Sequence, residues 1–360
     1  MLRKIEFSIS IGNIFGVAPL IDFNSTTIRK RRLYRSYAVS YYLIIQLIQI
    51  YSIYQLLAPG SSHNIYAFSL FAEVLRDILD SLNCFITFIG SSFWNARKWI
   101  ELHRKSKRIQ QSMRPKPNSF VRNYKKLLTI NLITCTLVSL VANMFWCIRD
   151  GYIVQSKYFI KYVCMSIQQV QLSIAFSYIY YAYLQYKELN STFVRQFRMK
   201  CLLSGSVDKM FRQLRELIAD INSLFGIQIF LTIISNSILT LHGMEVVTAP
   251  SWKHSTDALA NIMVVFSFII LPILVIFAAD WTAAESQKLI ALCYEFQENY
   301  PVFSREKQEL LNLVEHVRAT KPALTAGHFF DLNYKTLFTL SGTIITYFFV
   351  LMQFNSTFGY

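Results

Sequence analysis

The sequence predicts an all-α membrane protein with seven transmembrane helices, its N-terminus cytoplasmic and its C-terminus extracellular. Three observations carry that prediction. Of 360 residues, 53% are hydrophobic and only 16% charged, whereas soluble domains are roughly a quarter charged. Seven apolar stretches are long enough to form membrane-crossing helices. Lys and Arg then concentrate on alternate connections between them, which sets the orientation.

Residues 1–36 read as a cytoplasmic segment. Met1-Leu2-Arg3-Lys4 leads into an amphipathic stretch with a polar break at Asn13, followed by a basic run. No short signal peptide opens the chain, so the first span is expected to act as its own insertion signal. Residues 37–279 hold six spans: 37–57, about 66–94, 127–148, 158–183, 225–247 and 259–279. The sixth is the most hydrophobic and carries Pro272 as a kink. An inner stretch, 188–220, places Phe197, Met199, Leu203, Met210, Leu214 and Leu217 at helical spacing. Residues 280–333 read as cytoplasmic anchor helices, with 281–299 continuing the sixth span and 306–317 separate. Residues 334–360 hold the seventh span, 336–354, and a short extracellular end.

Lys and Arg number seven in 1–36, eleven in 95–126, seven in 184–224 and five in 280–333, so 30 of 36 fall on one side. Only Arg149, Lys157 and Lys253 fall on the other. The net charge of +15 is therefore a signal of topology and not of nucleic-acid binding. An odd number of spans with the N-terminus inside is opposite to G-protein-coupled receptors. Their Asp-Arg-Tyr and Asn-Pro-x-x-Tyr motifs are absent as well.

No catalytic or metal-binding motif is present: there is no GxSxG, GxGxxG, Walker A or HExxH. No cofactor and no enzymatic activity are expected. The six cysteines form no CxxC. Small buried hydrophobes are the simplest reading of them, although Cys147 and Cys164 lie toward the outer ends of adjacent spans, where a disulfide is conceivable.

Chemistry is concentrated in two of the spans. In the second, Glu73, Arg76, Asp77 and Asp80 follow i, i+3, i+4, i+7 and share one helix face. Each such charge at mid-bilayer costs about 2.5–3.5 kcal/mol, so the stripe must face protein or water. It reads either as a structural network that pairs internally or with a basic group on a neighbouring span, or as a water-filled pocket that would favour cations. Further polar and aromatic candidates lie in the outer halves of the spans: Tyr66, Phe68, Asn143, Trp146, Tyr162, Gln168, Gln169, His242, Glu245 and Asn261. Singly, most are interfacial anchors; together with Glu73 they suit an aromatic-lined cleft for a small organic ligand.

The seventh span, TLFTLSGTIITYFFVLMQF, carries no charge. Thr336, Thr339, Thr343, Thr346, Val350 and Gln353 recur at spacings of three and four and define one mildly polar side. Several copies around an axis would line a pore, with Gln353 and Phe354 as a narrow ring. The competing reading is that the threonines hydrogen-bond back to their own helix and fill close helix contacts.

The same residues carry a resemblance. Thr346-Tyr347, five apolar residues and Gln353-Phe354 resemble the TYhhhhhQF signature of insect gustatory receptors. Ala326-Gly327-His328-Phe329-Phe330-Asp331-Leu332 resembles the stretch leading into it, and Phe15-Gly16-Val17-Ala18-Pro19 is similar to a weaker family pattern. The resemblance implies a ligand-gated cation channel of four subunits, homomeric or mixed with relatives, in the plasma membrane of sensory neurons. It implies a tastant pocket in the outer half, passage of sodium, potassium and calcium, a gate at Gln353 and Phe354, and a linking role for Tyr347. Sugar receptors in that family have Glu after the Thr-Tyr pair; here the position is Phe348, which points to a bitter or contact cue. The alternatives are a metabotropic seven-helix receptor and a secondary transporter using the charged second span.

Overall fold

The computed structural model describes residues 2–19, 21–22, 27–28, 31–57, 67–113, parts of 129–144, 152–198, 204–248 and 255–357. The described residues are overwhelmingly helical. The helices are α1 (Leu2–Ile14), α2 (Arg31–Leu57), α3 (Ala67–Phe85), α4 (Ala96–Met113), α5 (Tyr152–Arg198), α6 (Ser204–Thr248), α7 (Ser255–Gln297), α8 (Arg305–Ala319) and α9 (Tyr334–Thr357). A π-helical segment, Ile86–Trp94, continues α3, and isolated helical residues occur between 129 and 144. Two short antiparallel hairpins complete the chain: β1 (Ile21–Asp22) with β2 (Thr27–Ile28), and β3 (Thr325–Ala326) with β4 (Phe330–Asp331).

The bundle is built around α5, which is buried almost continuously from Ile160 to Tyr186. A helix surrounded on all sides must satisfy its polar groups locally. Thr87 donates to Gln171 Oε1 at 2.6 Å, the hydroxyls of Ser8 and Ser177 meet at 3.1 Å, and Tyr181 donates to the Ser106 carbonyl at 2.7 Å. Helices α3, α6 and α7 pack around it, and α1 lies along it through Ile5 and Ile9. Gly16, at φ +72, stops α1 in the left-handed region, where a Cβ is costly. Its carbonyl accepts from Tyr34 Oη at 2.7 Å, which ties α1 to the base of α2.

Three helices outrun the predicted spans because their apolar patterns continue into the inner segments. The fifth begins at Ser204, not 225, and buries Val207, Phe211, Leu214 and Leu217 before the predicted span starts. The inner stretch expected to be helical thus forms the ends of α5 and α6. Helix α7 likewise runs to Gln297. Helix α8 follows the expected pattern, burying Leu310, Leu313, Val314 and Val317 at i, i+3, i+4, i+7. Ser304 caps it by accepting from the Lys307 amide at 3.2 Å. The second span turns π-helical beyond Phe85: the Asn95 amide reaches back five residues to Gly90 O at 2.7 Å. Cys164 is a buried free thiol that accepts from Gln49 at 3.5 Å, so the conceivable bridge to Cys147 is not formed. Cys147 itself lies outside the described residues.

The β3–β4 hairpin deals with the stretch before α9. Gly327 and His328 both have positive φ (59° and 65°), which turns the chain in three residues. Gly226 of α6 meets this turn backbone to backbone: a Cβ there would lie 3.0 Å from the Gly327 nitrogen and 3.2 Å from the Thr325 oxygen. Asn222 of α6 donates to Ala323 O at 2.7 Å and accepts from the Thr325 amide at 3.1 Å. Asn333 then caps α9, accepting from the Thr336 amide at 2.9 Å.

Candidate functional site

The charged stripe of α3 points into the bundle and finds its partners on α5 and α6. Lys161 Nζ lies 3.6 Å from Glu73 Oε1 and 3.6 Å from Asp77 Oδ2. Arg76 Nε is 3.7 Å from Asp80 Oδ2. Asp80 is fully buried; its Oδ1 accepts from Gln168 Nε2 and from Ser235 Oγ, both at 2.6 Å. His242 Nε2 stands 3.8 Å from Glu73 Oε1, and the Arg76 guanidinium also reaches Met165 Sδ. Three carboxylates therefore face two permanent cations, with His242 able to supply a third positive charge. Two charges held together in a low-dielectric interior stay charged only when paired and hydrogen-bonded. The near balance makes this an ion-paired network among the described residues.

One residue of this network, Lys161, was not singled out by sequence reasoning. A lysine inside an apolar span is itself a signal, because it needs a counter-charge within the bundle. Its carboxylate partners are Glu73 and Asp77, whereas Arg76 pairs with Asp80.

A second polar knot forms at the proline of α7. Pro272 has no amide hydrogen, so the carbonyl four residues earlier, Phe268 O, loses its helical donor. Gln169 Nε2 of α5 donates to that oxygen at 2.9 Å, and Asn236 Nδ2 of α6 approaches it at 3.5 Å. The freed carbonyl is thus held from two neighbouring helices. Tyr162 and Met165 pack nearby with Leu239, Val264 and Phe268 in a small apolar cluster.

Helix α9 is the counterpart of the buried pillar. Phe338 is 74% exposed, Phe349 57% and Tyr347 53%. Thr343, Thr346, Val350 and Gln353 are exposed as well. Its foot packs on α6 and α7, with Trp281 Nε1 donating to Tyr334 Oη at 2.9 Å. Its threonines do bond back to their own helix: Thr339 to Lys335 O, Thr343 to Thr339 O and Thr346 to Gly342 O, each at 2.9 Å. Such bonds satisfy the hydroxyl hydrogen and leave the oxygen's other lone pair outward.

The structure thus gathers Glu73, Arg76, Asp77, Asp80, Gln168 and His242 into one network and puts Gln169 at the proline knot. Tyr66, Asn143 and Trp146 lie outside the described residues, as do the side chains of Phe68, Glu245, Asn261 and Phe354.

Outside the spans, the inner ends of the helices are held by ordinary charge pairs. Burial pulls Lys105 down, but Asp220 at 2.8 Å and Glu216 at 3.4 Å outweigh it and hold its pKa above the usual lysine range. His103, buried between α4 and α1, is pushed down by burial and then by Lys107.

Two stretches, Gly205–Met244 of α6 and Ile262–Gln297 of α7, are long and apolar enough to cross a membrane among the described residues. The fold as a whole is similar to that of a solved chemoreceptor. The structure of the insect olfactory receptor OR5 from Machilis hrabei superposes with a TM-score of 0.71 over 98% of both chains, at 11% identity. The same receptor in complex with eugenol superposes at 0.62, covering 98% of this chain and 99% of that one at 12% identity. At such identities the likeness concerns the fold. The chain belongs to the 7tm chemosensory receptor family, whose sequence model matches residues 5–358. Members are membrane receptors, not enzymes. Comparison with curated protein sequences gives no match.

Proposed function

We propose that this chain is a gustatory-type receptor acting as a ligand-gated, non-selective cation channel, opened by a small-molecule tastant of the bitter or contact class. Seven spans cross the plasma membrane of a sensory neuron, with the N-terminus cytoplasmic. Four copies, identical or mixed with relatives, bring four α9 helices around one axis. The observation that carries this reading is α9 itself: a threonine-striped helix, uncharged from Thr336 to Phe354, most of whose described residues are exposed. Apolar surface of that extent in a membrane receptor must meet lipid or other copies, and the polar stripe disfavours lipid. Thr343, Thr346 and Val350 would line the path, Gln353 and Phe354 would close it, and Tyr347 would contact neighbouring helices. The Thr346-Tyr347 to Gln353-Phe354 signature supports the gustatory assignment, and Phe348 argues against a sugar ligand.

We place the ligand pocket among Trp146, Tyr162, Gln168, Gln169, Asn261, Glu73 and His242. Eugenol bound to the olfactory receptor OR5 supports a small organic ligand for this fold. A ligand opens the pore only through a preference for the open state. The test is patch-clamp recording from cells expressing the chain, against bitter alkaloids, cuticular lipids and sugars. Gln353→Ala with Phe354→Ala should raise the basal cation current. Unchanged basal current together with an unchanged agonist response would remove the gate from this helix.

A further inference from the structure

The inner ends of α5 and α7 enclose a cleft of about 390 Å³ that the gate and ligand assignments leave unused. Its wall is aromatic. Tyr180 and Tyr183 come from α5 and Trp281 from α7, with the Tyr183 and Trp281 rings 6.3 Å apart and the Tyr180 and Tyr183 rings 5.7 Å apart. Its rim is basic, with Lys187 on α5 and Lys288 on α7. One carboxylate, Glu285, also lines it, but its side chain is only 8% exposed and already engaged. Lys288 donates to its Oε2 at 2.7 Å, and Asn190 Nδ2 to its Oε1 at 3.1 Å. Lys288 keeps 63% of its side chain exposed, and Lys187 has no carboxylate partner among the described residues. The cleft thus offers two lysines against one shared carboxylate.

The level of the cleft along the helices matters. On both α5 and α7 it marks the point where apolar sequence gives way to charged sequence. Tyr and Trp collect at such boundaries because their rings are amphipathic. A basic rim over an aromatic wall at that depth complements a phosphate group attached to acyl chains.

We propose that this cleft binds the headgroup of an anionic phospholipid, its phosphate on Lys187 and Lys288 and its glycerol and upper acyl chains against Tyr183 and Trp281. The bound lipid would sit one side chain from α9, because Trp281 hydrogen-bonds Tyr334. The choice of the cytoplasmic leaflet rests on the orientation in the proposed function; the binding itself does not.

The test uses the full-length protein purified in uncharged detergent, with affinities read by microscale thermophoresis. The probes are dioctanoyl phosphatidylinositol 4-phosphate, dioctanoyl phosphatidylcholine and free inositol 1,4-bisphosphate. The anionic lipid should bind more tightly than the other two. Each of Lys187→Gln and Lys288→Gln should weaken it by about fivefold, following the attraction of a single basic residue for an anionic surface. Glu285→Gln, which keeps an oxygen for Asn190, should tighten it. Equal affinity for phosphatidylcholine, equal affinity for the soluble bisphosphate, or no loss in the folded lysine variants would each overturn the proposal. Because no current is measured, failure here leaves the channel reading standing, and a silent channel leaves the lipid site standing.

Discussion

Removing the cation that Glu73 and Asp77 share is the sharpest perturbation the structure offers. In Lys161→Met the side chain keeps its length and loses its charge. Lys161 is 6% exposed and lies 3.6 Å from both carboxylates, so water cannot easily replace it. Breaking a buried pair in this way costs about 3–5 kcal/mol, because an uncompensated charge stays behind. Spread over the unfolding entropy of a chain of this length, that is a fall in melting temperature of about 4–7 °C. Fluorescence-detected thermal melting of detergent-purified protein reads the shift. Adding Glu73→Gln and Asp77→Asn to the same chain should recover most of the loss, since replacing a whole buried ionic group is often nearly neutral. A Lys161→Met protein that melts with the parent, or a triple variant no better than the single, would refute the ion-pair account.

Three further outcomes are expected. Gln169→Leu should cost about 1–3 kcal/mol by orphaning Phe268 O, and the cost should shrink in a Pro272→Ala background, where the helix supplies its own donor; equal costs in both backgrounds would disprove the clamp. Gly226→Ala should lower the melting temperature, because its Cβ would lie 3.0 Å from backbone that cannot swing aside, at about 1–3 kcal/mol for forced overpacking; an unshifted melt would mean the hairpin is not seated there. His103 has a depressed pKa in the fold, so its contribution is present above about pH 6.5 and is lost as the unfolded chain takes up a proton below it. Parent protein should therefore lose more stability than His103→Gln between pH 7.5 and 5.5, and parallel melting curves would contradict this.

Sequence alone located most helices because hydropathy and period are local. It stopped α6 short at residue 225 because Val207, Phe211, Leu214 and Leu217 are diluted by charged neighbours, although they share one buried face. The α3 stripe was legible from spacing, and even its need for a basic partner could be argued. Which partner it has depends on how α5 turns relative to α3, and that is set by packing. The Phe268 clamp was half legible: Pro272 announces an orphan carbonyl, but nothing local says that Gln169 and Asn236 reach it. The glycine turn before α9 needed the fold, since the reason for Gly327 lies in Gly226, about a hundred residues earlier.

The way α9 leaves that turn has a mechanical corollary. Its first residues are fastened by Asn333, by the hairpin and by Trp281, while most described residues of its far half are exposed. A rod fastened at one end behaves as a lever whose fulcrum is the fastening. From Asn333 to Gln353 is about 30 Å along the axis. A tilt of only 5° at the fulcrum carries Gln353 through about 2.6 Å, roughly the radius of a water molecule and a half-width more. Under the proposed function, the residue so displaced is the one at which the passage closes.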